Sequence, residues 1–160
     1  YSTGEPAGTI TGLAPDAVTL PTPVRENMRT LAERLAAALS EKGLKVRSVP
    51  ALDVKGVDEI LAARAVVIGS PSYFGNVSWQ VKKLLDEVYG ILYRMKDTAK
   101  RPPHAAFSMA EIEPSAKETL AEIGKATSIG PTMIVLVPHA PEETAKRITE
   151  FADQIAGIVK

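Results

Sequence analysis

Apolar runs alternate with amphipathic stretches along most of the chain. The run Ala65 to Ile68 is aliphatic without in-and-out alternation, which is typical of a strand covered on both faces in a parallel sheet. A second β-rich run occupies residues 132–137, and a shorter run occupies 104–108. Another short run occupies 44–49, and its imperfect alternation indicates an edge or near-edge strand. Because helical patterns separate these runs, the order of elements predicts an α/β fold with a doubly wound parallel sheet.

The predicted helices have apolar residues that recur every three or four positions. Their ranges are 24–42, 57–63, 77–93, 114–123 and 141–159. Gly43 is placed to end the first helix, and Pro114 suits the first position of the fourth. Residues 1–23 are instead rich in Gly, Pro and Thr, which predicts a long loop in which only residues 17–20 resemble a strand.

The stretch between the strand at 65–68 and the helix at 77–93 is polar and carries several groups that can bind a ligand. They are the hydroxyls of Ser70 and Ser72, the aromatic faces of Tyr73 and Phe74, the backbone at Gly75, and Asn76, which suits a helix N-cap. Ligands of open parallel sheets bind just beyond the carboxyl ends of strands, so this is a candidate binding loop. The alternative is an ordinary turn whose two aromatic residues pack on the domain edge, since Gly, Pro, Ser and Asn dominate any turn.

Length and charge restrict the class of protein. The 160 residues predict one domain, residues 1–160, which is large enough to bury its own core. Nineteen Lys and Arg residues balance nineteen Asp and Glu residues, so the formal net charge is zero. No overall field therefore attracts nucleic acid or an anionic membrane, and we expect binding to neither.

The absence of cysteine excludes disulfides, thiolate metal sites and a cysteine nucleophile. The two histidines, His104 and His139, are too few for a histidine-based metal site. No apolar run approaches the roughly 20 residues of a membrane span, and no signal-peptide pattern begins the chain. We therefore expect a cytoplasmic protein.

Three further features each have two interpretations. One interpretation of Trp79 is that it contacts a ligand, and the other, which is more common for such a residue, is that it packs against the sheet. Tyr89 and Tyr93 are four residues apart, which is typical of helix packing or of a contact between copies of the chain. A basic cluster is either a solvated charge run or a group that steers an anionic nicotinamide cofactor, and it consists of Arg94, Lys96, Lys100 and Arg101.

The segment 69–86 resembles the flavin-ring stretch of the flavodoxin-like family, in particular of long-chain and multimeric flavodoxins and related FMN-dependent quinone reductases. The family pattern is G-S-P-T-x-x-G-x-x-[AS]-x-x-[KR]-x-[FL]-[FL]-D, and this chain has GSPSYFGNVSWQVKKLLD, with one residue more than the pattern between Ser78 and Lys82. Residues 1–4, YSTG, are similar to the Y-S-x-T-G start of the family's FMN phosphate loop. The strand, loop and helix at 104–123, followed by a strand and a C-terminal helix, match the order of the family's last two units.

The resemblance implies a three-layer, doubly wound sheet of five parallel strands in the order 2-1-3-4-5, with FMN held by three loops at its carboxyl edge. For the phosphate loop it implicates Ser2, Thr3 and Gly4, with Thr22 and Asn27 nearer the start of the helix, where backbone N–H groups stabilise the phosphate charge. For the flavin ring it implicates Pro71, Ser72, Tyr73, Phe74, Gly75 and Asn76. For the third loop it implicates Ser108, Met109 and Ala110.

The first strand departs from the family pattern. No apolar run precedes the motif at 1–4, so the first strand is expected to be truncated or atypical. Either it lies ahead of Tyr1, or residues 17–20 form a short first strand and 21–27 form the phosphate loop.

The implied function is that of an FMN-binding redox protein. It would be an electron carrier, or an NAD(P)H-dependent reductase of a quinone or small acceptor, with a redox protein or NAD(P)H as its partner. Because the flavin supplies the chemistry, we expect no catalytic side chain and no metal. The alternative is a flavodoxin-fold domain that has lost flavin and acts as a binding module. The third loop favours this alternative, because it has no glycine and carries Glu111 and Glu113, which lie beside the flavin unless they point to solvent.

Overall fold

The computed structural model describes residues 9–13, 28–54, 56–72, 75–94, 101–127, 129–136 and 141–159. The strands within these residues are β1 (Thr9–Leu13), β2 (Arg47–Pro50), β3 (Val66–Pro71), β4 (His104–Ala110) and β5 (Ile129–Leu136). The α-helices are α1 (Met28–Glu41), α2 (Val57–Leu61), α3 (Trp79–Leu84), α4 (Gly90–Arg94), α5 (Glu113–Ala126) and α6 (Pro141–Ile158). A 3₁₀ turn, Ala51–Asp53, follows β2, and a π-helical segment, Leu85–Tyr89, joins α3 to α4.

The five strands form one parallel sheet in the order β2-β1-β3-β4-β5, which confirms the predicted order 2-1-3-4-5. All six residues of the central strand β3 are buried, as its apolar run predicted. β2 lies at one edge, which its imperfect alternation indicated. β3 and β4 stay in register as far as Pro71 opposite Met109, so the two strands end at the same edge of the sheet.

The first strand lies where neither prediction placed it. Residues Thr9 to Leu13 pair with β2 on one side and with β3 on the other. The first strand is therefore neither ahead of Tyr1 nor at 17–20, and both predictions are wrong. Residues 17–20 lie outside the described residues. Only two residues of TITGL are aliphatic, so the apolar pattern misses this strand, although Thr and Ile favour strands. Its register against β2 shifts between Ile10 and Leu13, which agrees with the expected atypical first strand.

Helices cover both faces of the sheet and give the predicted three layers. On one face Val67 and Phe107 pack against α1 and α6, and the Phe107 and Phe151 rings meet edge to face with centroids 6.3 Å apart. Gly69 leaves room for the Phe107 ring, because a Cβ at this position would overlap it. On the other face Ile68 packs in a cluster with α3, the π-helical segment and α5.

Several element boundaries differ from the predicted ones. α1 begins at Met28, and Gly43 follows it with φ 85°, which confirms the predicted helix end. β3 and β4 extend to Pro71 and Ala110, beyond the predicted ends at 68 and 108, so part of the predicted loops belongs to the strands. The N-cap of α3 is Ser78 instead of Asn76, because the Ser78 hydroxyl accepts the Val81 N–H at 3.4 Å.

Candidate functional site

The carboxyl ends of β3 and β4 bring two of the predicted ligand segments together. The Ser72 N–H donates to the Met109 carbonyl at 2.9 Å, which continues the ladder one residue beyond β3. Pro71 and Ser72 of the predicted ring segment therefore lie beside Met109 and Ala110 of the predicted third loop. The β3–α3 loop, residues 72–78, begins at this point.

The Ser72 hydroxyl holds the β3–α3 loop against α5. It donates to the Ser115 carbonyl at 2.9 Å and accepts from the Thr119 hydroxyl at 2.9 Å and from the Gly75 N–H at 3.3 Å. A serine hydroxyl has one proton and two lone pairs, so these three bonds use its whole capacity. In this structure Ser72 thus positions the loop, and its hydroxyl does not point toward a ligand.

Two more contacts join the same loop to α5. Gly75 has φ +85°, and a Cβ at this position would overlap the Glu118 carboxylate. The Val77 N–H donates to the Glu122 carboxylate at 3.3 Å. Residues 115, 118, 119 and 122 share one helix face, because they are three or four positions apart, and this face supports the loop.

The Ser70 hydroxyl joins the two ends of the β3–α3 loop. Its hydroxyl donates to the Pro71 carbonyl at 2.8 Å and accepts the Ser78 N–H at 3.0 Å. Since Ser78 also caps α3, the end of β3 and the start of α3 are joined through one side chain. The sequence pattern assigned neither serine this role, although a serine three residues before Val81 is a standard N-cap position.

Ser108 is the predicted third-loop residue with unused hydrogen-bonding capacity. Its side chain lies opposite Ser70 in the sheet and is completely buried, and among the described residues its hydroxyl has no hydrogen-bond partner. A buried polar atom without a partner costs about 1–3 kcal/mol. The Ser108 hydroxyl is therefore a group that a polar ligand at this edge could satisfy.

Exposed side chains surround the same edge. Glu111 and Glu113 are exposed, so the prediction that they point to solvent is confirmed, and Ile112 between them is 58% exposed. Trp79, in the first turn of α3, is 63% exposed, so the prediction that it packs against the sheet is wrong. Asn76 is exposed as well.

Seven predicted site residues lie outside the described residues: Ser2, Thr3, Gly4, Thr22, Asn27, Tyr73 and Phe74. The order of elements along the chain is relevant to the five predicted phosphate-loop residues, because a phosphate loop follows the carboxyl end of the first strand. The connection from β1 to α1 is residues 14–27, which contains Thr22 and Asn27, whereas Ser2, Thr3 and Gly4 precede β1. The roles of all seven stay predictions.

Tyr89 and His104 form a buried pair at the opposite, amino edge of the sheet. The His104 Nδ1 lies 2.8 Å from the Pro102 carbonyl and therefore donates to it, so Nε2 accepts the Tyr89 hydroxyl at 2.7 Å. Burial lowers the pKa of His104 to about 4 and raises the pKa of Tyr89, so both groups are neutral near pH 7. Burial of Tyr89 confirms the helix-packing interpretation for that residue, whereas Tyr93 is 69% exposed and a contact between copies stays a prediction.

The residues that the structure describes contain no group of three or more His, Cys, Asp or Glu side chains that could hold a metal ion. None of their helices has the length and apolar character needed to cross a bilayer.

Solved flavodoxin structures are similar to this chain along most of its length. A flavodoxin from Streptococcus pneumoniae TIGR4 superposes with a TM-score of 0.69 at 15% identity, and the match covers 96% of this chain and 99% of that one. An archaeal flavodoxin has a TM-score of 0.61 at 19% identity, with coverage of 94% and 99%. The rubredoxin:oxygen oxidoreductase of Desulfovibrio gigas has a TM-score of 0.65 at 15% identity. That match covers 94% of this chain but 35% of the oxidoreductase.

No protein-family model matches the chain, and no curated protein matches it. At identities of 15% and 19%, the likeness to solved structures concerns the fold.

Proposed function

We propose that this chain, which has the flavodoxin fold, binds FMN at the carboxyl edge of β1, β3 and β4 and acts as a redox protein. The observation that carries the proposal is the position of the flavin-ring motif. Its residue Pro71 ends β3 and Ser72 follows, at the edge where a sheet of order 2-1-3-4-5 changes winding direction between β1 and β3. Ligands of such sheets bind in the crevice at this switch point.

The proposed FMN contacts come from three segments. The connection from β1 to α1 would hold the phosphate through Thr22 and Asn27, because Asn27 directly precedes α1 and a helix N-terminus favours an anion. Ser2, Thr3 and Gly4 stay in the proposal on the motif alone. The ring would lie against Tyr73, Phe74, Gly75 and Asn76, with Ser108, Met109 and Ala110 on its other side.

One feature of the described part of the edge fits a flavin ring. The buried Ser108 hydroxyl has an unused hydrogen bond, and a flavin ring has polar atoms along its edge. When bound, FMN would supply the electron-transfer chemistry, and the protein would bind and orient it and control what approaches it.

The proposal includes two roles, those of an electron carrier and of an NAD(P)H-dependent reductase of a quinone or small acceptor. It keeps the cytoplasmic location and the single domain 1–160 that the sequence predicts. The second candidate is a flavodoxin-fold binding module without flavin, which the absence of glycine from the third loop, residues 108–113, favours.

The first test is the visible absorbance spectrum of the purified chain before and after addition of FMN. We expect flavin bands that stay with the protein through gel filtration. A colourless protein from which all added FMN separates would contradict the proposal and support the binding module. Oxidation of NADH or NADPH by the FMN complex would then distinguish a reductase from a carrier.

Variants test the proposed ring contacts. We expect Phe74→Ala or Tyr73→Ala to change the absorbance maxima of bound FMN and to weaken binding by about tenfold, which corresponds to 1.4 kcal/mol. Tyr93→Ala is the matched control, because Tyr93 is exposed on α4 at the other edge of the sheet. Equal effects of the control and the ring-loop variants would argue against the assigned site.

A further inference from the structure

A cavity lies at the amino edge of the sheet, between the helix face from Leu85 to Arg94 and the end of α5 at Lys125 and Ala126. We call it the amino-edge cleft, and its volume is about 370 Å³. A smaller cavity of about 50 Å³ shares Tyr89 and Ala126 with it and reaches the start of β4 at His104.

The amino-edge cleft is separate from the proposed FMN site. The seven residues of β4 run from the smaller cavity to the carboxyl edge, a distance of roughly 23 Å at about 3.3 Å per residue. A nicotinamide bound in the cleft could not pass a hydride to a flavin at the other edge.

The floor of the cleft is uncharged and has its polar groups paired. Tyr89 donates to His104, and His104 donates to the Pro102 carbonyl, so both side chains are neutral and both are engaged. Tyr89 is completely buried beneath the cleft, so a ligand would meet the Tyr93 ring, which is 69% exposed, and apolar atoms of Ala126.

The charges around the two cavities are all positive. Among the described residues that line them, the ionisable groups charged at pH 7 are Arg94, Lys125 and Arg101. The Arg101 guanidinium donates to the Tyr93 carbonyl at 3.1 Å, which places it at the end of α4. This concentration of positive charge occurs in a chain whose formal net charge is zero.

Three carboxylates on the described helices around the cleft have other partners. On the helix that forms one wall, Asp86 pairs with Lys82 at 2.9 Å and Glu87 pairs with Lys83 at 2.6 Å, on an exposed face. On α5, one turn before Lys125, Glu122 accepts the Val77 N–H. The positive charge of the cleft is therefore not neutralised by these side chains.

The shape of the wall also suits a ligand. The π-helical segment Leu85–Tyr89 inserts an extra residue into the helix, and such insertions occur frequently at functional sites. Gly90 follows it, and an added Cβ there would meet no atom within 4 Å. Glycine in a helix is less favourable than alanine, so this residue leaves the cleft open at some expense of helix stability.

We propose that the amino-edge cleft binds a small aromatic anion, a planar ring that carries a carboxylate or a phosphate. The ring would lie against the exposed Tyr93 ring beside Gly90, and the anionic group would meet Arg94 and Lys125. Arginine matches carboxylate and phosphate oxygens with paired N–H groups, and an aromatic ring packs favourably on tyrosine. This proposal does not depend on FMN binding at the other edge.

The test uses the full chain and four probes in isothermal titration calorimetry. Two probes combine ring and anion, 2-naphthoate and 2-naphthyl phosphate, and they distinguish a carboxylate ligand from a phosphate ligand. Naphthalene-2-methanol has the ring without charge, and inorganic phosphate has the charge without a ring. We expect one or both aromatic anions to bind at least about tenfold more tightly than either single-feature probe, equivalent to 1.4 kcal/mol. Equal binding of the uncharged ring, or no binding of either aromatic anion, would overturn the proposal.

Variants place the binding in the cleft. Gly90→Leu fills the cleft from a position with open space around it, and we expect it to abolish binding of the aromatic anion. Gly157→Leu on α6 is the matched control, because Gly157 is also helical and also has open space around it. If Gly90→Leu does not fold, Lys125→Gln supplies the second test, with an expected loss of about fivefold, near the upper end for an exposed ion pair. Binding that survives both Gly90→Leu and Lys125→Gln would place the ligand elsewhere and refute the inference.

Discussion

At the residue scale, the position of the candidate ring loop depends strongly on one hydroxyl group. Ser72 connects the end of β3 to α5 through partners 43 and 47 residues away in the chain. Thr119, one of these partners, is fully buried, so its hydroxyl has few alternatives if Ser72 is removed. Loss of this one hydroxyl should therefore affect both stability and the geometry of the loop.

We expect Ser72→Ala to lower the free energy of unfolding by about 1–3 kcal/mol, because it leaves the Thr119 hydroxyl and the Gly75 N–H without their acceptor. If the proposed function holds, FMN affinity should fall by about tenfold as the loop loosens. Urea denaturation and FMN titration measure the two effects. Ser115→Ala is the control, because Ser115 contributes its carbonyl, which the substitution keeps. An equal loss in both variants would contradict the role of the Ser72 hydroxyl.

The buried His104 predicts a pH dependence of stability. Its pKa is lowered to about 4 in the folded chain, chiefly by burial, whereas the ordinary value is 6.5. As the pH falls below 6.5, the unfolded chain binds a proton that the folded chain does not yet accept, so stability is lost between pH 6.5 and about 4. The loss amounts to roughly 3 kcal/mol.

Urea midpoints measured from pH 7 to pH 4 test this dependence. We expect His104→Gln to be less stable than the parent chain at pH 7, because the Tyr89 hydroxyl loses its imidazole acceptor. The variant should also lack the part of the stability loss below pH 6.5 that protonation of His104 causes. A variant with the full acid sensitivity of the parent chain would show that His104 is not its source.

At the element scale, α5 supports the β3–α3 loop along one helix face. The contacts run from Ser115 to Glu122, and they engage the loop at Ser72, Gly75 and Val77. The loop and the helix come from consecutive β-α units whose strands are paired in the sheet. Their relative position therefore follows from the pairing of β3 with β4 as much as from either element alone.

Gly75→Ala tests this packing of loop on helix. We expect a loss of about 1–2 kcal/mol in the free energy of unfolding, because φ is +85° and other L-residues are strained there. Gly56→Ala is the control, since Gly56 has φ 175° and open space around it and should change stability by less than about 0.5 kcal/mol. Adding Glu118→Ala to Gly75→Ala removes the overlap but not the strain, so it should recover only part of the loss. Full recovery would show that contact with Glu118, and not backbone strain, decides the effect.

At the scale of the whole molecule, the two edges of the sheet have different chemistry. The carboxyl edge presents the flavin-ring motif, exposed Trp79 and the carboxylates of Glu111 and Glu113. The amino edge presents a cleft whose charged lining residues, among those that the structure describes, are all cationic. A chain with zero net charge thus has local charge of both signs at opposite ends of its strands.

FMN binding predicts a stabilisation of the whole chain. A ligand at a hundred times its Kd stabilises the folded state by about 2.7 kcal/mol, which corresponds to a rise in Tm of about 5–10 °C for a chain of this size. Thermal unfolding with and without FMN measures the rise, and riboflavin, which lacks the phosphate, should give a smaller one. An unchanged Tm at high FMN concentration would contradict the proposed function.

From the sequence alone, the apolar patterns predict the α/β class and the family resemblance predicts the strand order. The buried run of β3, the edge character of β2 and the apolar repeats of α1, α5 and α6 are confirmed in the structure. Each is a local property, because the spacing of apolar residues within one segment decides which face that segment can bury. The motif at 69–86 begins within β3, and Ser72 follows this strand at the carboxyl edge, whereas the binding role of the motif stays a prediction.

Features that depend on residues distant in sequence could be identified only in the three-dimensional structure. TITGL at β1 has few aliphatic residues, and its assignment as a strand comes from pairing with β2 and β3 on both sides. The roles of Ser72 and Thr119 arise because β3 and β4 are neighbours, and the exposure of Trp79 depends on how α3 packs. The amino-edge cleft combines the helix 85–94 with the end of α5, more than 30 residues later. Local periodicity carries no information about such contacts, because they are specified by the packing of the complete chain.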